Sequence, residues 1–430
     1  MANAQQICSR IEAGEYDAAF CKLYGEKALA AQRARYVQAV RDFAQLFGGE
    51  RELTFYSAPG RTEIGGNHTD HNHGVVMAAA VNLDIIAVVA RSEENVVRVK
   101  SKGFDRMDVV SLDQLEPDEA EAGRSGALIR GIAAAIVQRG GHVGGFDAYT
   151  TSDVLRGSGL SSSAAFEVLI GEIFNGEFNA ERFTAVENAQ MGQYAENVFF
   201  GKPCGLMDQT ACAVGSAVTI DFADPNAPDV NKVAFDVAKH GFSLCITDTK
   251  GSHADLTDDY AAIRSEMESV AACFGKKVLR EVDEDAFYRE IAAIREKTGD
   301  RAVLRAAHFF ADCRRAGELY KAVADDRFDD FLRLIVEGGH SSFEYNQNAY
   351  SIRHPQQQGV SVGLVISQKI LNGRGAWRLQ GGGFAGTIQA FVPADLLDTY
   401  RSAMEQVFGE GACYVLNVRN YGAVHVVETL

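Results

Sequence analysis

A glycine- and serine-rich run, Gly157-Ser158-Gly159-Leu160-Ser161-Ser162-Ser163-Ala164-Ala165, passes without a break into Phe166, Leu169, Ile170, Ile173 and Phe174. Those apolar positions keep i, i+3, i+4, i+7, i+8 spacing, so a helix with a buried face starts at the serine run. The first turn of such a helix has unpaired N–H groups at the positive end of its dipole, which suits an anion without any lysine. Glycines let the backbone approach a phosphate closely, and three consecutive hydroxyls add donors and one magnesium ligand. The structural alternative is a serine-capped core helix behind a flexible loop. A Walker-type lysine is missing, which excludes the P-loop pattern.

The chain of 430 residues exceeds a single ordinary core, so two domains are expected, with a boundary near residue 220 (1–220 and 221–430). A formal net charge of -16 argues against nucleic acid or an anionic membrane as partner. An anionic substrate then needs a local positive site or a metal ion. The eight cysteines are scattered without Cys-x-x-Cys pairing, which reads as free thiols in a reducing compartment. No signal-peptide core or bilayer-length apolar run is present, so the expectation is a soluble cytoplasmic protein.

Along the chain, Ala18 to Phe47 favours helix, Ile85 to Val89 and Val96 to Val99 favour strand, and Leu128 to Val137 favours helix. Beyond Asp221 come a strand at Phe242 to Ile246, helix at Asp258 to Phe274 and helix over most of Asp283 to Leu332. The end alternates strand (Thr387 to Val392), helix (Ala394 to Phe408) and strands near Tyr414 to Val418 and Val424 to Val427. That order suits an α+β fold, with helices on one face of a mainly antiparallel sheet.

Three further segments carry chemistry. Ala58 to Gly74 packs Arg61, Glu63, Asn67, His68, Asp70, His71 and His73 among turn-formers, a mixture too polar and irregular for a structural role. Glu196-Asn197 ends a helix stopped by Gly201 and Pro203, and Cys204-Gly205-Leu206-Met207-Asp208-Gln209 follows. Phosphoryl transfer to an alcohol needs a proton acceptor, a cation on the triphosphate and accurate positioning. Asp208 is a candidate for the first, and Glu196 with a serine hydroxyl for the second; a loop Asp is otherwise a turn residue. Gln380-Gly381-Gly382-Gly383-Phe384-Ala385-Gly386 is a glycine loop before a strand, readable also as a simple turn.

In this order and spacing the segments resemble the galactokinases, of the small-molecule kinase superfamily that includes homoserine, mevalonate and phosphomevalonate kinases. The resemblance covers roughly residues 50 to 430. It implies a two-domain kinase fold with the active site between the domains, and an ATP- and Mg²⁺-dependent sugar 1-kinase. By resemblance, Arg61 and Asp208 are the catalytic pair, with Asp208 as base. Asn67, His68, Asp70, Gly205 and Tyr260 meet the sugar. Gly157, Gly159, Leu160, Ser161, Ser162, Ser163 and Ala164 hold ATP, and Ser163 (or Ser162) and Glu196 hold magnesium. Four departures stand out. Gln380 replaces a usual threonine and Ala385 a usual glycine, Ser125 and Leu128 stand where a Trp-x-x-Tyr is often found, and Asn67 replaces the glutamate that contacts the C6 hydroxyl. An amide there removes repulsion toward a sugar acid, which opens galacturonate, or N-acetylgalactosamine, as an alternative to galactose. Two rival classes are a sugar-sensing protein on the same fold and a zinc-dependent hydrolase using His68, Asp70, His71 and His73. The zinc reading lacks a His-x-x-x-His pair.

Overall fold

The computed structural model describes residues 3–154, 159–202, 204–251 and 256–427. Seven strands come first: β1 (Thr54–Gly65), β2 (Val75–Arg91), β3 (Val96–Ser101), β4 (Asp108–Ser111), β5 (Phe146–Ser152), β6 (Ala217–Asp221) and β7 (Asp229–Val233). They are followed by β8 (Phe242–Asp248), β9 (Ala376–Leu379), β10 (Thr387–Pro393), β11 (Cys413–Leu416) and β12 (Val424–His425). The first sheet runs β12-β1-β2-β5-β3-β4, with β6 on the other end of the long β2 and β7 beyond it; the second runs β11-β8-β10-β9. Every pairing is antiparallel except β3 with β5. The strands change sheet between Val233 and Phe242, and the tail returns to the first sheet, so a cut at 220 would divide the β6–β7 ladder.

The run Ile85 to Val89 is apolar at every position because both faces of β2 are covered. Ile85, Ala87 and Val89 face a core shared with helices Ser125–Gln138 and Ser162–Asn179. Ile86 and Val88 face Phe20, Tyr36, Val40 and Phe43 of the N-terminal helices. The first sheet is therefore sandwiched, not covered on one face as its order suggested. The added layer comes from helices Ala4–Ala13, Asp17–Tyr24 and Leu29–Phe47. The expected single helix over 18–47 breaks at Gly25, which has φ 82°.

A buried ionic knot ties this layer to the sheet. Asp84 accepts from Arg419 at 2.9 Å, Arg35 at 2.6 Å and the Tyr24 hydroxyl at 2.7 Å, and both Asp84 and Arg419 are fully buried. Arg35 also donates to the Thr151 carbonyl at 3.1 Å, so one carboxylate links N-terminal helix, sheet and C-terminal tail. Among the described residues no helix is long and apolar enough to cross a membrane.

Candidate active site

The polar segment from Ala58 is not irregular throughout: its first half lies in β1, buried at nearly every position. Polar side chains are tolerated there because each finds a partner. The β1–β2 register slips between Pro59 and Arg61, a bulge that re-aims the following side chain. At this bulge the Arg61 N–H donates to the Leu160 carbonyl at 3.1 Å, which ties the serine loop to the strand.

The Arg61 guanidinium, 6% exposed, then grips Asp208 with two bonds, Nε to Oδ1 at 2.7 Å and Nη2 to Oδ2 at 2.6 Å. Its remaining nitrogen donates to the Gly159 carbonyl, and the Ser161 hydroxyl donates to Asp208 Oδ2. Asp208 is the second residue of helix Met207–Val214, where the helix dipole favours a carboxylate. Burial alone would raise its pKa, but the Arg61 charge and hydrogen bonds outweigh this and hold the carboxyl below its usual range. The carboxylate is thus ionised at neutral pH, with 32% of the side chain still open to solvent.

Helix Ser162–Asn179 starts inside the serine run as expected. Ser161 adopts a left-handed conformation and caps nothing; its hydroxyl is used on Asp208 instead. This removes the simple serine-cap explanation. Leu160 and Ala164 are buried anchors, Ser162 is half-buried and Ser163 is exposed at the first turn. Gly157 lies outside the described residues.

Asp70 opens a short 3-10 turn, Asp70–Asn72, beyond β1. Burial and then the neighbouring Asp208 charge raise its pKa. Its carboxylate lies directly over Gly205, where a Cβ would stand 2.2 Å from Oδ2. Gly205, Asp70, Asp208 and Arg61 therefore share one corner.

The other expected sugar residues, Asn67, His68 and Tyr260, all donate to the glycine loop. The three carbonyls of the glycine loop are each gripped in turn: Gly381 by Asn67 Nδ2 at 2.7 Å, Gly382 by His68 Nε2 at 2.8 Å, Gly383 by the Tyr260 hydroxyl at 3.0 Å. A carbonyl only accepts, so the His68 proton sits on Nε2; burial lowers its pKa to about 4, which keeps the ring neutral. Asn67 is 1% exposed and fully engaged. Its Nδ2 also donates to Glu63 at 3.1 and 3.3 Å, and its Oδ1 accepts from Asn348 at 2.8 Å. Glu63 in turn forms a buried pair with Arg378. Asn67, expected to meet the sugar, has its amide bonded within the protein, as a joint between the signature segment and the glycine loop.

Glu196 lies in a π-helical turn, Ala195–Phe200, and is buried. One oxygen faces the Lys202 ammonium at 3.3 Å and the other accepts from Gln209 Nε2 at 3.0 Å. The same Gln209 nitrogen donates to Glu167 at 2.9 Å, a fully buried acid whose pKa is pushed well up by burial and by Glu196. A buried carboxylate that faces an exposed ammonium offers the kind of hard oxygen donor that suits a cation such as Mg²⁺. The zinc reading has no such support. His68 Nε2 is held by Gly382, and His71 Nδ1 lies 2.9 Å from the Asn72 amide. Among the described residues no three His, Cys, Asp or Glu side chains converge.

Sequence reasoning assigned no individual role to Glu63, Glu167, Gln209 or Arg378. Glu167 had a readable signal, an acid inside an otherwise apolar helix face; Gln209 stood beside Asp208 in a segment already singled out. Arg378, in a short strand far along the chain, gave none.

Residues 41–91 match the galactokinase galactose-binding signature and residues 127–216 the GHMP kinase N-terminal domain. A galactokinase of Streptomyces coelicolor is 30% identical over 372 residues, covering 85% of this chain and 91% of that one. The chain belongs to the galactokinase family. A galactokinase of Actinobacillus pleuropneumoniae is likewise 30% identical over 367 residues, covering 84% of this chain and 91% of that one. Among solved structures, Lactococcus lactis galactokinase complexed with galactose superposes with TM-score 0.76 at 22% identity, over 91% of this chain and 99% of that chain. Methanococcus jannaschii mevalonate kinase gives TM-score 0.60 at 11% identity, over 86% and 99%. This galactokinase-family chain is accordingly a phosphotransferase of the GHMP kinase fold.

Proposed function

We propose that the protein transfers the γ-phosphoryl group of ATP to the anomeric hydroxyl of galactose, giving galactose 1-phosphate. The observation that carries this reading is the Arg61–Asp208 fork held against Gly159 and Ser161 of the serine loop. It puts an ionised carboxylate, a buried guanidinium and a helix N-terminus in one corner.

The anomeric hydroxyl is placed at Asp208 by Asp70 and the backbone at Gly205. As its oxygen attacks the γ-phosphorus and ADP departs, the proton passes to the Asp208 carboxylate. A carboxyl held below its usual range accepts that proton late, once phosphorus–oxygen bonding has made the hydroxyl acidic. Arg61 offsets the charge spreading over the transferring oxygens, and the first turn of helix Ser162–Asn179 receives the phosphates. Glu196, with Ser163 or Ser162, would hold Mg²⁺, which when bound neutralises triphosphate charge.

Galactose is favoured over galacturonate because the one residue that argued for an acid, Asn67, is saturated by the protein itself. Retention of Arg61, Glu196 and Asp208 favours an active enzyme over a sensor. ATP consumption against a sugar panel tests the substrate. Asp208→Asn should lower turnover by about 10²–10⁴-fold while galactose still binds; unchanged turnover removes Asp208 as base.

A further inference from the structure

The glycine loop has a neck. Gln380, which follows β9, donates its N–H to the carbonyl of Thr387, the first residue of β10, at 3.1 Å. Both residues are only 2% exposed. From this neck Gln380 Nε2 reaches the Gly159 carbonyl at 2.9 Å, the same carbonyl that accepts from Arg61. Thr387 crowds Gly159 from the same side, since a Cβ at Gly159 would stand 2.8 Å from its hydroxyl. Gly159 has φ +71°, so both conformation and space demand glycine. The Gly159 carbonyl is thus fixed by two donors, one from each sheet. Because the peptide is planar, fixing that carbonyl also fixes the direction of the Leu160 N–H, just ahead of the helix. The carbonyl orients the Gln380 amide, and among the described residues its Oε1 and the Thr387 hydroxyl have no protein partner.

We propose that Gln380 is a positioning residue for the nucleotide phosphates, acting through Gly159 to hold the serine loop in its phosphate-receiving conformation. This rests on the kinase reading above. It gives the departure at position 380 a role particular to this chain: an amide long enough to cross from the second sheet to the loop of the first.

The test compares wild type with Gln380→Ala and the near-isosteric Gln380→Glu, whose carboxylate has no proton to give the Gly159 carbonyl. Binding of a non-hydrolysable ATP analogue with Mg²⁺ is measured by calorimetry, and KM is measured separately for ATP and for galactose. Loss of one such bond predicts about tenfold weaker analogue binding and about tenfold higher KM for ATP, with KM for galactose within about twofold. Gln380→Glu should be at least as impaired, since it adds negative charge beside the phosphates. Unchanged analogue binding in both variants overturns the proposal, as does a rise of both KM values in proportion. Should Gln380→Ala not fold, the glutamate variant carries the same comparison. If wild type does not phosphorylate galactose, the kinase reading fails, and the analogue titration alone decides the role of Gln380.

Discussion

Asn67→Glu separates a structural amide from a sugar-facing one. In the structure Asn67 Nδ2 serves three acceptors, two oxygens of Glu63 at 3.1 and 3.3 Å and the Gly381 carbonyl at 2.7 Å. A carboxylate has no proton for any of them. It also brings a second negative charge to about 4 Å from the buried Glu63, a repulsion of about 4 kcal/mol at an effective dielectric near 20. The orphaned Gly381 carbonyl adds about 1–3 kcal/mol, and Arg378, already paired with Glu63, returns part of the total. A net loss of about 3–5 kcal/mol at neutral pH is expected, read as a lower urea midpoint at unchanged slope. One member of the acid pair acquires a raised pKa, so the deficit should shrink as pH falls below that value. Glu63→Gln in the same chain should restore part of the stability, because the pair is coupled. A fully stable Asn67→Glu enzyme that turns from one C6-substituted sugar to another would refute the reasoning, by placing the side chain in the sugar pocket.

Two further outcomes follow from the geometry. Gly205→Ala puts a Cβ 2.2 Å from Asp70 Oδ2, so the carboxylate must move; KM for galactose should rise about tenfold or more while analogue binding by calorimetry is unchanged. Asp84→Ala leaves Arg35 and Arg419 buried without their shared acid and should cost about 3–5 kcal/mol in denaturant unfolding. In the wild type, burial opposes ionisation of Asp84 but the two arginines win, so its folded pKa lies below the unfolded value. Its stabilisation is complete above the unfolded pKa, about 3.9, and is lost as pH falls through the folded one; a urea midpoint that drops less with acid in Asp84→Ala than in wild type checks this.

Much of the fold was legible because the signals were periodic. The expected helices at 258–274 and 128–137 and the strand at 242–246 match Thr257–Cys273, Ser125–Gln138 and Phe242–Asp248 closely, since each buries a regular apolar pattern. β1 was hidden for the opposite reason. Arg61, Thr62 and Glu63 break the alternation expected of a strand, and only their long-range partners Asp208, Gln389 and Arg378 make such a strand tenable. Composition marked this segment as polar and chemistry-bearing and was misleading that nothing structural would accept it. The same holds for Asn67, His68 and Tyr260: residue type marked them as hydrogen-bonding, but the glycine-loop carbonyls they hold lie 314, 314 and 123 positions away, beyond the reach of any local rule.

Those distant acceptors suggest how the site keeps its shape. Asn67 and His68 of the signature segment hold the glycine loop, the neck of that loop holds Gly159 through Gln380, and Gly159 is also held by Arg61, which holds Asp208. The contacts close into a ring running through both sheets, with the proposed base on it. A carboxylate that must meet an alcohol within hydrogen-bond reach gains from such a frame, because misplacement by about 1 Å costs on the order of 10²-fold in rate. The departures from the family pattern at positions 67 and 380 both fall on this ring, and both are amides whose donors face backbone carbonyls. An amide at each is what the local acceptors require: a carboxylate at 67 would meet Glu63, and a shorter side chain at 380 would fall short of Gly159.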